Sequence, residues 1–160
     1  MFHRPILPLK KEKTLINTNL DNHPKKILVA DDEVHILHVV SLKLRNAGYD
    51  VITAQDGREA LELAQVEKPD LIITDYQMPH LSGLELCRRL KRIPATQNIP
   101  ALMLTARGFA VDPKALTDAG VKMCLHKPFS PREILAIVSQ MSQKTNNLTD
   151  AVLTGTQISS

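Results

Sequence analysis

The chain has 160 residues, enough for one domain of ordinary size with a tail at each end. Its aromatic content is 3%, with no Trp, which argues against a surface that binds nucleic acid by stacking bases on rings. The formal net charge of +3 arises in residues 1–25, because residues 26–141 hold 14 basic and 14 acidic residues, and this neutral part gives no reason to expect direct DNA binding.

The sequence contains no pattern typical of a membrane span or an export signal. No apolar run approaches the roughly 20 residues that a membrane-spanning helix needs, and residues 1–24 lack the apolar stretch of a secretory signal. Cys87 and Cys124 lie far apart with no CxxC spacing, which is typical of reduced cysteines in a cytosolic protein. We therefore expect a cytoplasmic protein with no membrane partner.

Composition divides the chain into three segments. Residues 1–24 contain three prolines and no hydrophobic period, so we expect a flexible basic extension. Residues 142–160 are rich in Ser, Thr, Asn and Gln, so we expect a disordered polar tail. Residues 25–141 are expected to form a single folded domain.

Short apolar runs alternate with helix-like patterns along the folded segment. The five runs are Lys26–Ala30, Asp50–Thr53, Leu71–Thr74, Ala101–Leu104 and Val121–Leu125. Most are apolar throughout and do not alternate with polar residues. This pattern predicts parallel strands that are covered on both faces.

A helix is predicted after each strand. The apolar face of the first helix consists of Leu37, Val40, Leu44 and Ala47. Gly48 is expected to follow its last turn, as glycine often does. Three later helices share a capping pattern, in which an oxygen-bearing residue is followed three positions later by Glu, and they begin at Asp56, Ser82 and Ser130. The fourth helix is expected at roughly residues 112–119, closed by Gly120.

Five strand–helix units of this size predict a doubly wound α/β fold, since crossovers are right-handed and helices must cover both faces of the sheet. Ligands of such sheets bind at the edge where the strands end. The residues that follow four of the five runs are polar or proline, and they are Asp31, Asp32, Glu33, Asp75, Thr105, Lys127 and Pro128. The functional site is therefore expected at this edge.

These residue types suit phosphoryl chemistry. Clustered carboxylates repel one another unless a cation intervenes, and oxygen ligands without His or Cys suit Mg²⁺. A carboxylate such as Asp75 can act as a nucleophile toward phosphorus and give an acyl phosphate. The ammonium of Lys127 and the hydroxyl of Thr105 can hold phosphoryl oxygens, and such positioning is the main catalytic need in phosphoryl transfer.

Four sequence motifs together resemble the response-regulator receiver domain of two-component systems. They are Asp31-Asp32-Glu33, the run ITDYQMP from Ile73 to Pro79, Leu104-Thr105-Ala106 and Lys127-Pro128-Phe129. The resemblance covers roughly residues 26–141, with the motifs in the family's order and spacing. It implies a five-stranded, flavodoxin-like sheet of order 2-1-3-4-5 with five helices.

The resemblance also implies a role for each matching residue. Asp75 would accept a phosphoryl group from the phosphohistidine of a sensor histidine kinase or a phosphotransfer protein. Asp32 would ligate Mg²⁺ directly, Asp31 through water, and Asp75 and the backbone carbonyl of Gln77 would complete the metal site. Thr105 and Lys127 would contact the phosphoryl group, and the peptide bond before Pro128 would be cis.

Three positions either depart from the family pattern or, in the family, modulate the chemistry of the site. Cys124 stands three residues before Lys127, where the family commonly has Tyr or Phe. In the family this ring rotates inward as the threonine moves toward the phosphoryl group, and cysteine cannot reproduce that movement. Gln77 and Arg107 occupy the two positions that, in the family, tune the lifetime of the phosphoryl group.

No metal-binding spacing is seen for His126 or the other histidines, so ordinary surface or core roles are expected for them.

The resulting hypothesis is a stand-alone response regulator, not a conventional enzyme, because no output domain is recognisable after residue 141. Its downstream partner is an unidentified protein or a second copy of the chain. One alternative is an interaction module that keeps the fold without being phosphorylated, as Cys124 suggests. An aspartyl phosphatase is a third hypothesis, disfavoured because Gln77 replaces the second Asp of that class.

Overall fold

The computed structural model describes residues 23–106 and 110–143. Three predictions lie outside these residues: the flexible extension over residues 1–22, the role of Arg107, and the polar tail from residue 144 onward. Within the described part of the chain, no helix is long and apolar enough to cross a membrane.

Five strands and five helices alternate along the described chain. The strands are β1 (Lys26–Ala30), β2 (Asp50–Ala54), β3 (Leu71–Asp75), β4 (Ala101–Thr105) and β5 (Val121–His126). The helices are α1 (Val34–Asn46), α2 (Gly57–Glu67), α3 (Gly83–Arg92), α4 (Pro113–Asp118) and α5 (residues 131–143). Four strands run one residue past their predicted ends. The added residue is Ala54 in β2 and a polar residue in β3, β4 and β5, because backbone pairing continues one residue past each predicted run.

The strands form one parallel sheet in the order β2-β1-β3-β4-β5, which confirms the predicted doubly wound fold. The chain passes from β1 outward to β2 and then returns to add β3 on the other side of β1. The direction of winding therefore reverses between β1 and β3. Ligand sites in such sheets lie at this point, beyond the carboxyl ends of the two strands.

The two faces of the sheet carry separate cores, because successive side chains of a strand point to opposite faces. One face, with Leu28, Ile72 and Met103, packs against α2, α3 and α4. The other, with Ile73 and Leu104, packs against α1 and α5. All five residues of β3 and of β4 are buried, so polar side chains within these strands need hydrogen-bond partners inside the domain.

An irregularity interrupts the pairing of β4 with β5. Ala101 is opposite Val121, but the next residue, Leu102, is opposite Met123. Lys122 is therefore an extra residue on β5, as in a β-bulge. Regular pairing resumes after it and places Thr105 opposite His126.

The predicted helix ends agree with the observed hydrogen bonds. Asp56 and Ser82 accept the backbone N–H of the residue three positions later at 2.8 and 3.2 Å. Gly48 follows the end of α1 with φ of +97°. This is a left-handed conformation, which glycine adopts without steric cost. The prediction for Ala47 was wrong: α1 ends at Asn46, so Ala47 lies beyond the last turn and is exposed.

Helix α3 begins directly against the end of β3. The backbone N–H of Gly83 donates to the carbonyl oxygen of Tyr76 at 2.9 Å. A Cβ atom at Gly83 would collide with the carbonyl oxygen of Asp75. The absence of a side chain at residue 83 therefore lets the helix start close to the last residue of β3.

We expect Gly83→Ala to lower the free energy of unfolding by about 1–3 kcal/mol, because the added methyl group must displace packed backbone. Urea unfolding followed by circular dichroism measures this change. Arg92→Ala, at the exposed end of the same helix, should stay within about 0.5 kcal/mol of wild type. Equal unfolding midpoints for wild type and Gly83→Ala would contradict the close approach of α3 to β3.

Candidate functional site

Three carboxylates converge at the edge of the sheet where β1 and β3 end. One carboxylate oxygen from each of Asp31, Asp32 and Asp75 lies within 4.8 Å of the others. Asp31 is fully buried, Asp75 is 6% exposed and Asp32 faces solvent. The cluster is thus buried on one side and open on the other.

Strand register explains why these carboxylates meet. Ala30 is opposite Thr74 in the pairing of β1 with β3, so the residues that follow, Asp31 and Asp75, come side by side. Asp31 is fixed further because its Oδ1 accepts the backbone N–H of Glu33 at 2.9 Å. This local bond holds the turn that leads into α1.

Lys127 brings a positive charge into the cluster. Its Nζ lies 3.2 Å from Asp31 Oδ2, 3.1 Å from Asp75 Oδ1 and 3.0 Å from Glu33 Oε1. The Lys127 backbone N–H donates to the carbonyl oxygen of Thr105 at 2.8 Å, which fixes the start of the side chain beside β4. The peptide bond between Lys127 and Pro128 is cis. No separate role was predicted for Glu33, because its contact with Lys127 depends on the fold.

Two opposing effects set the pKa values of the cluster: burial disfavours the charged forms, and ion pairing with Lys127 favours them. Burial raises the pKa of Asp31 from 3.8 to about 6, although the Glu33 N–H and Lys127 oppose the shift. Burial also raises the pKa of Asp75, against the effect of Lys127. Burial alone would lower the pKa of Lys127, but Glu33, Asp31 and Asp75 outweigh it and raise that pKa. The site therefore holds more negative charge than one ammonium neutralises.

Thr105 has a partner that the sequence analysis missed. Its Oγ1 lies 2.9 Å from Nδ1 of His126, and Thr105 is only 1% exposed whereas His126 is exposed. The two residues are opposite each other in the pairing of β4 with β5. The extra residue at the start of β5 decides this register, and the sequence pattern gave no signal for it.

The remaining predicted site residues lie around this centre. Cys124 is half-buried and packs against the core on the α2–α4 face, and burial raises its pKa. Cys87 lies in the same core with a pKa raised to about 12 by burial, as expected of an unreactive thiol. Gln77 is exposed in the loop after β3. Arg107 lies outside the described residues.

The donor set fits a hard divalent cation. The three clustered side chains offer only carboxylate oxygens, without an imidazole or thiolate. Mg²⁺ prefers oxygen ligands and commonly takes one or two carboxylates together with water and phosphate oxygens. A cation would also offset the excess negative charge that Lys127 leaves.

A comparison with protein-family models matches residues 27–139 to the response regulator receiver domain. The chain belongs to this family. The match confirms the resemblance inferred from the four motifs, and it makes this receiver domain part of the two-component class of signalling proteins, whose receivers act as phosphoacceptor switches.

Curated relatives agree with the family match. The chain is 44% identical over 121 residues to the alkaline phosphatase synthesis transcriptional regulatory protein PhoP of Bacillus subtilis, covering 76% of this chain and 50% of that protein. It is 40% identical over 126 residues to the DNA-binding dual master transcriptional regulator RpaA of Synechocystis, covering 79% and 52%. The chain thus spans about half the length of these relatives.

Solved structures resemble this chain in both fold and sequence. The chemotaxis response regulator CheY4 of Vibrio cholerae has a TM-score of 0.69 and 36% identity, covering 74% of this chain and 98% of that one. The receiver domain of a sensor histidine kinase from Pseudomonas aeruginosa has a TM-score of 0.66 and 28% identity, covering 74% and 97%. That structure holds a magnesium ion in its active-site cleft.

The raised pKa of Asp31 predicts a pH-dependent stability. Between about pH 4 and 6 the folded chain binds more protons than the unfolded chain, so the free energy of unfolding falls as the pH rises through this window. Asp31→Asn removes this carboxylate. Without added metal, its free energy of unfolding should exceed that of wild type by an amount that grows as the pH rises from 4 to 7 and reaches about 3 kcal/mol.

Urea unfolding of both proteins in EDTA, across that pH range, measures the difference. Asp118→Asn, which changes an exposed carboxyl on α4, should follow wild type at every pH. A constant gap between wild type and Asp31→Asn would contradict the shifted titration of Asp31.

Proposed function

We propose that this receiver domain accepts a phosphoryl group on Asp75 from the phosphohistidine of a sensor histidine kinase or a phosphotransfer protein. The observation that carries the proposal is the convergence of Asp31, Asp75 and Lys127 at the sheet edge. An ammonium 3.1 Å from the Asp75 carboxylate, and further carboxylates that could hold a cation, support attack by Asp75 on phosphorus.

In the proposed transfer, a carboxylate oxygen of Asp75 attacks phosphorus while the bond to the donor imidazole nitrogen breaks. An acyl phosphate forms on Asp75, and the bonding electron pair stays with the donor nitrogen. Lys127 then exchanges contacts with neighbouring carboxylates for a contact with a phosphoryl oxygen. The hydroxyl of Thr105 donates to another phosphoryl oxygen.

Mg²⁺ is the proposed cofactor. Asp31, Asp32, Asp75 and the backbone carbonyl of Gln77 would hold it, with Asp31 acting through water. When bound, the ion offsets the negative charge of the carboxylates and of the incoming phosphoryl group. Gln77 and Arg107, at the entrance to the site in the family pattern, would tune how long the acyl phosphate survives.

A groove beside Lys127 supports docking of a protein donor. It lies between α1 and the segment that follows β5, and Ile36, Val39, Phe129 and Pro131 contribute to its apolar walls. A helix of the donor could bury apolar side chains in such a groove, which would hold its phosphohistidine near Asp75.

The output is proposed to be a phosphorylation-dependent change of the surface formed by α4, β5 and α5, read by a partner protein or by a second copy of the chain. Transcriptional regulation and DNA binding are properties named for the relatives. The stand-alone form and the absence of DNA binding by this domain stay predictions from the sequence.

We expect wild-type protein to incorporate phosphate from acetyl phosphate or a phosphorylated kinase, and Asp75→Asn to incorporate none, because an amide is not a nucleophile toward phosphorus. Mass spectrometry of the intact protein measures a phosphoryl adduct. Asp118→Asn should label as wild type does. Equal labelling of Asp75→Asn would show that another residue is the acceptor.

Removal of metal should abolish labelling, and addition of Mg²⁺ should raise the thermal unfolding midpoint of wild type. At 100 times its dissociation constant, a ligand adds about 2.7 kcal/mol to the stability of the state that binds it. Asp32→Asn changes an exposed side chain and should lose most of this Mg²⁺-dependent gain while folding normally without metal. An undiminished gain in this variant would argue against Asp32 as a ligand.

Beryllofluoride, which mimics a phosphoryl group on a carboxylate, distinguishes the switch from the interaction module. The protein is titrated with beryllofluoride in the presence of Mg²⁺, and the amide chemical shifts are followed by NMR. Shifts that extend from Asp75 to Cys124 and α4 support a switch. Shifts confined to the surroundings of Asp75 favour a module whose surface does not respond.

A further inference from the structure

Thr105 and His126 connect the buried edge of the site to the protein surface. The hydroxyl oxygen of Thr105 is 2.9 Å from Nδ1 of His126. Thr105 is 1% exposed, whereas His126, on the edge strand β5, faces solvent. A side chain inside the domain is therefore hydrogen-bonded to one outside it.

Strand register enforces this contact. Thr105 and His126 are opposite each other at the last position of β4 and β5, and neighbouring side chains at paired positions project to the same face of a sheet. Thr105 alternates with Met103, which belongs to the α2–α4 face. The hydroxyl and the imidazole thus meet on that face of the sheet.

The hydrogen-bonding capacity of a threonine limits what this pair can do. A hydroxyl has a single hydrogen to donate, and an imidazole nitrogen accepts a hydrogen only when it carries none itself. If Nδ1 of His126 accepts the hydrogen of Thr105, that hydrogen is not available to a phosphoryl oxygen. The imidazole and a phosphoryl group are then alternative acceptors for one donor.

We propose that His126 is a positioning residue that holds the hydroxyl of Thr105 in the resting domain, and that a phosphoryl group on Asp75 displaces it. This inference rests on the proposed function of Asp75 and Thr105. Phosphorylation transfers the Thr105 hydrogen bond from Nδ1 of His126 to a phosphoryl oxygen. The released imidazole then changes its hydrogen bonding at the exposed edge of β5.

This exchange supplies the outward step that Cys124 does not. Cysteine has no ring to rotate inward when Thr105 moves, whereas the imidazole of His126 contacts the hydroxyl directly. The signal leaves the site through a broken hydrogen bond at the end of β5. A partner that recognises this edge would meet a different donor and acceptor pattern in each state.

The first test measures the ring nitrogens of His126 by NMR in the full chain, with and without beryllofluoride and Mg²⁺. We expect the resting Nδ1 to be an unprotonated acceptor, and its ¹⁵N shift to change when beryllofluoride binds. A resting Nδ1 that carries the hydrogen, or a ring that does not respond to bound beryllofluoride, would overturn the inference.

The second test compares variants of His126 in beryllofluoride binding and in labelling by acetyl phosphate. His126→Leu removes the competing acceptor, so the half-saturating concentration of beryllofluoride should fall about twofold to tenfold, the range for one neutral hydrogen bond. His126→Asn keeps an acceptor near the position of Nδ1 and should restore the wild-type value. His38→Leu, which changes an exposed histidine of α1, should bind as wild type does.

The role of His126 and the phosphoacceptor role of Asp75 can be disproved separately. If Asp75 is labelled but His126→Leu and His126→Asn both bind beryllofluoride as wild type does, the role of His126 is wrong and the proposed function stands. If no variant is labelled or binds beryllofluoride, the proposed function fails and this inference fails with it. A single cooperative urea transition for each variant confirms that it is folded, and His126→Leu is expected to lose about 1–3 kcal/mol of unfolding free energy because the buried Thr105 hydroxyl loses its partner.

Discussion

The close approach of like charges at the edge of the sheet is the constraint on which the rest of the site depends. The register of β1 with β3 forces Asp31 and Asp75 together, and burial makes their ionised forms costly. The ammonium of Lys127 offsets only part of this cost. The fold therefore maintains a local excess of negative charge, and a bound cation would offset it.

The sequence was sufficient for the fold because each level of the pattern agreed with the others. Continuous apolar runs indicated a parallel sheet, and capping residues such as Asp56 and Ser82 marked where helices begin. Errors arose where a boundary depends on backbone pairing and not on side-chain polarity. Strands β3, β4 and β5 each continue into a polar residue, β2 continues into Ala54, and the apolar face of α1 stops short of Ala47 because the helix ends first.

The site was predictable to the extent that its residues follow directly from strand ends. Asp31, Asp75 and Lys127 could be grouped because parallel strands end at a common edge. The contacts of Glu33 and His126 could not be found this way. The first depends on how far the Lys127 side chain reaches across the cluster, and the second depends on the register of β5, which the hydrophobic pattern does not determine.

That register has a consequence for how the chain tolerates changes in length. Because Lys122 is an extra residue that pairs with nothing on β4, strand β5 absorbs one residue before regular pairing resumes at Met123. Deleting Lys122 would remove the irregularity and leave Thr105 opposite His126. A deletion after Met123 would instead move Lys127 away from the carboxylates. The geometry at the end of β5 therefore does not depend on the extra residue near its start.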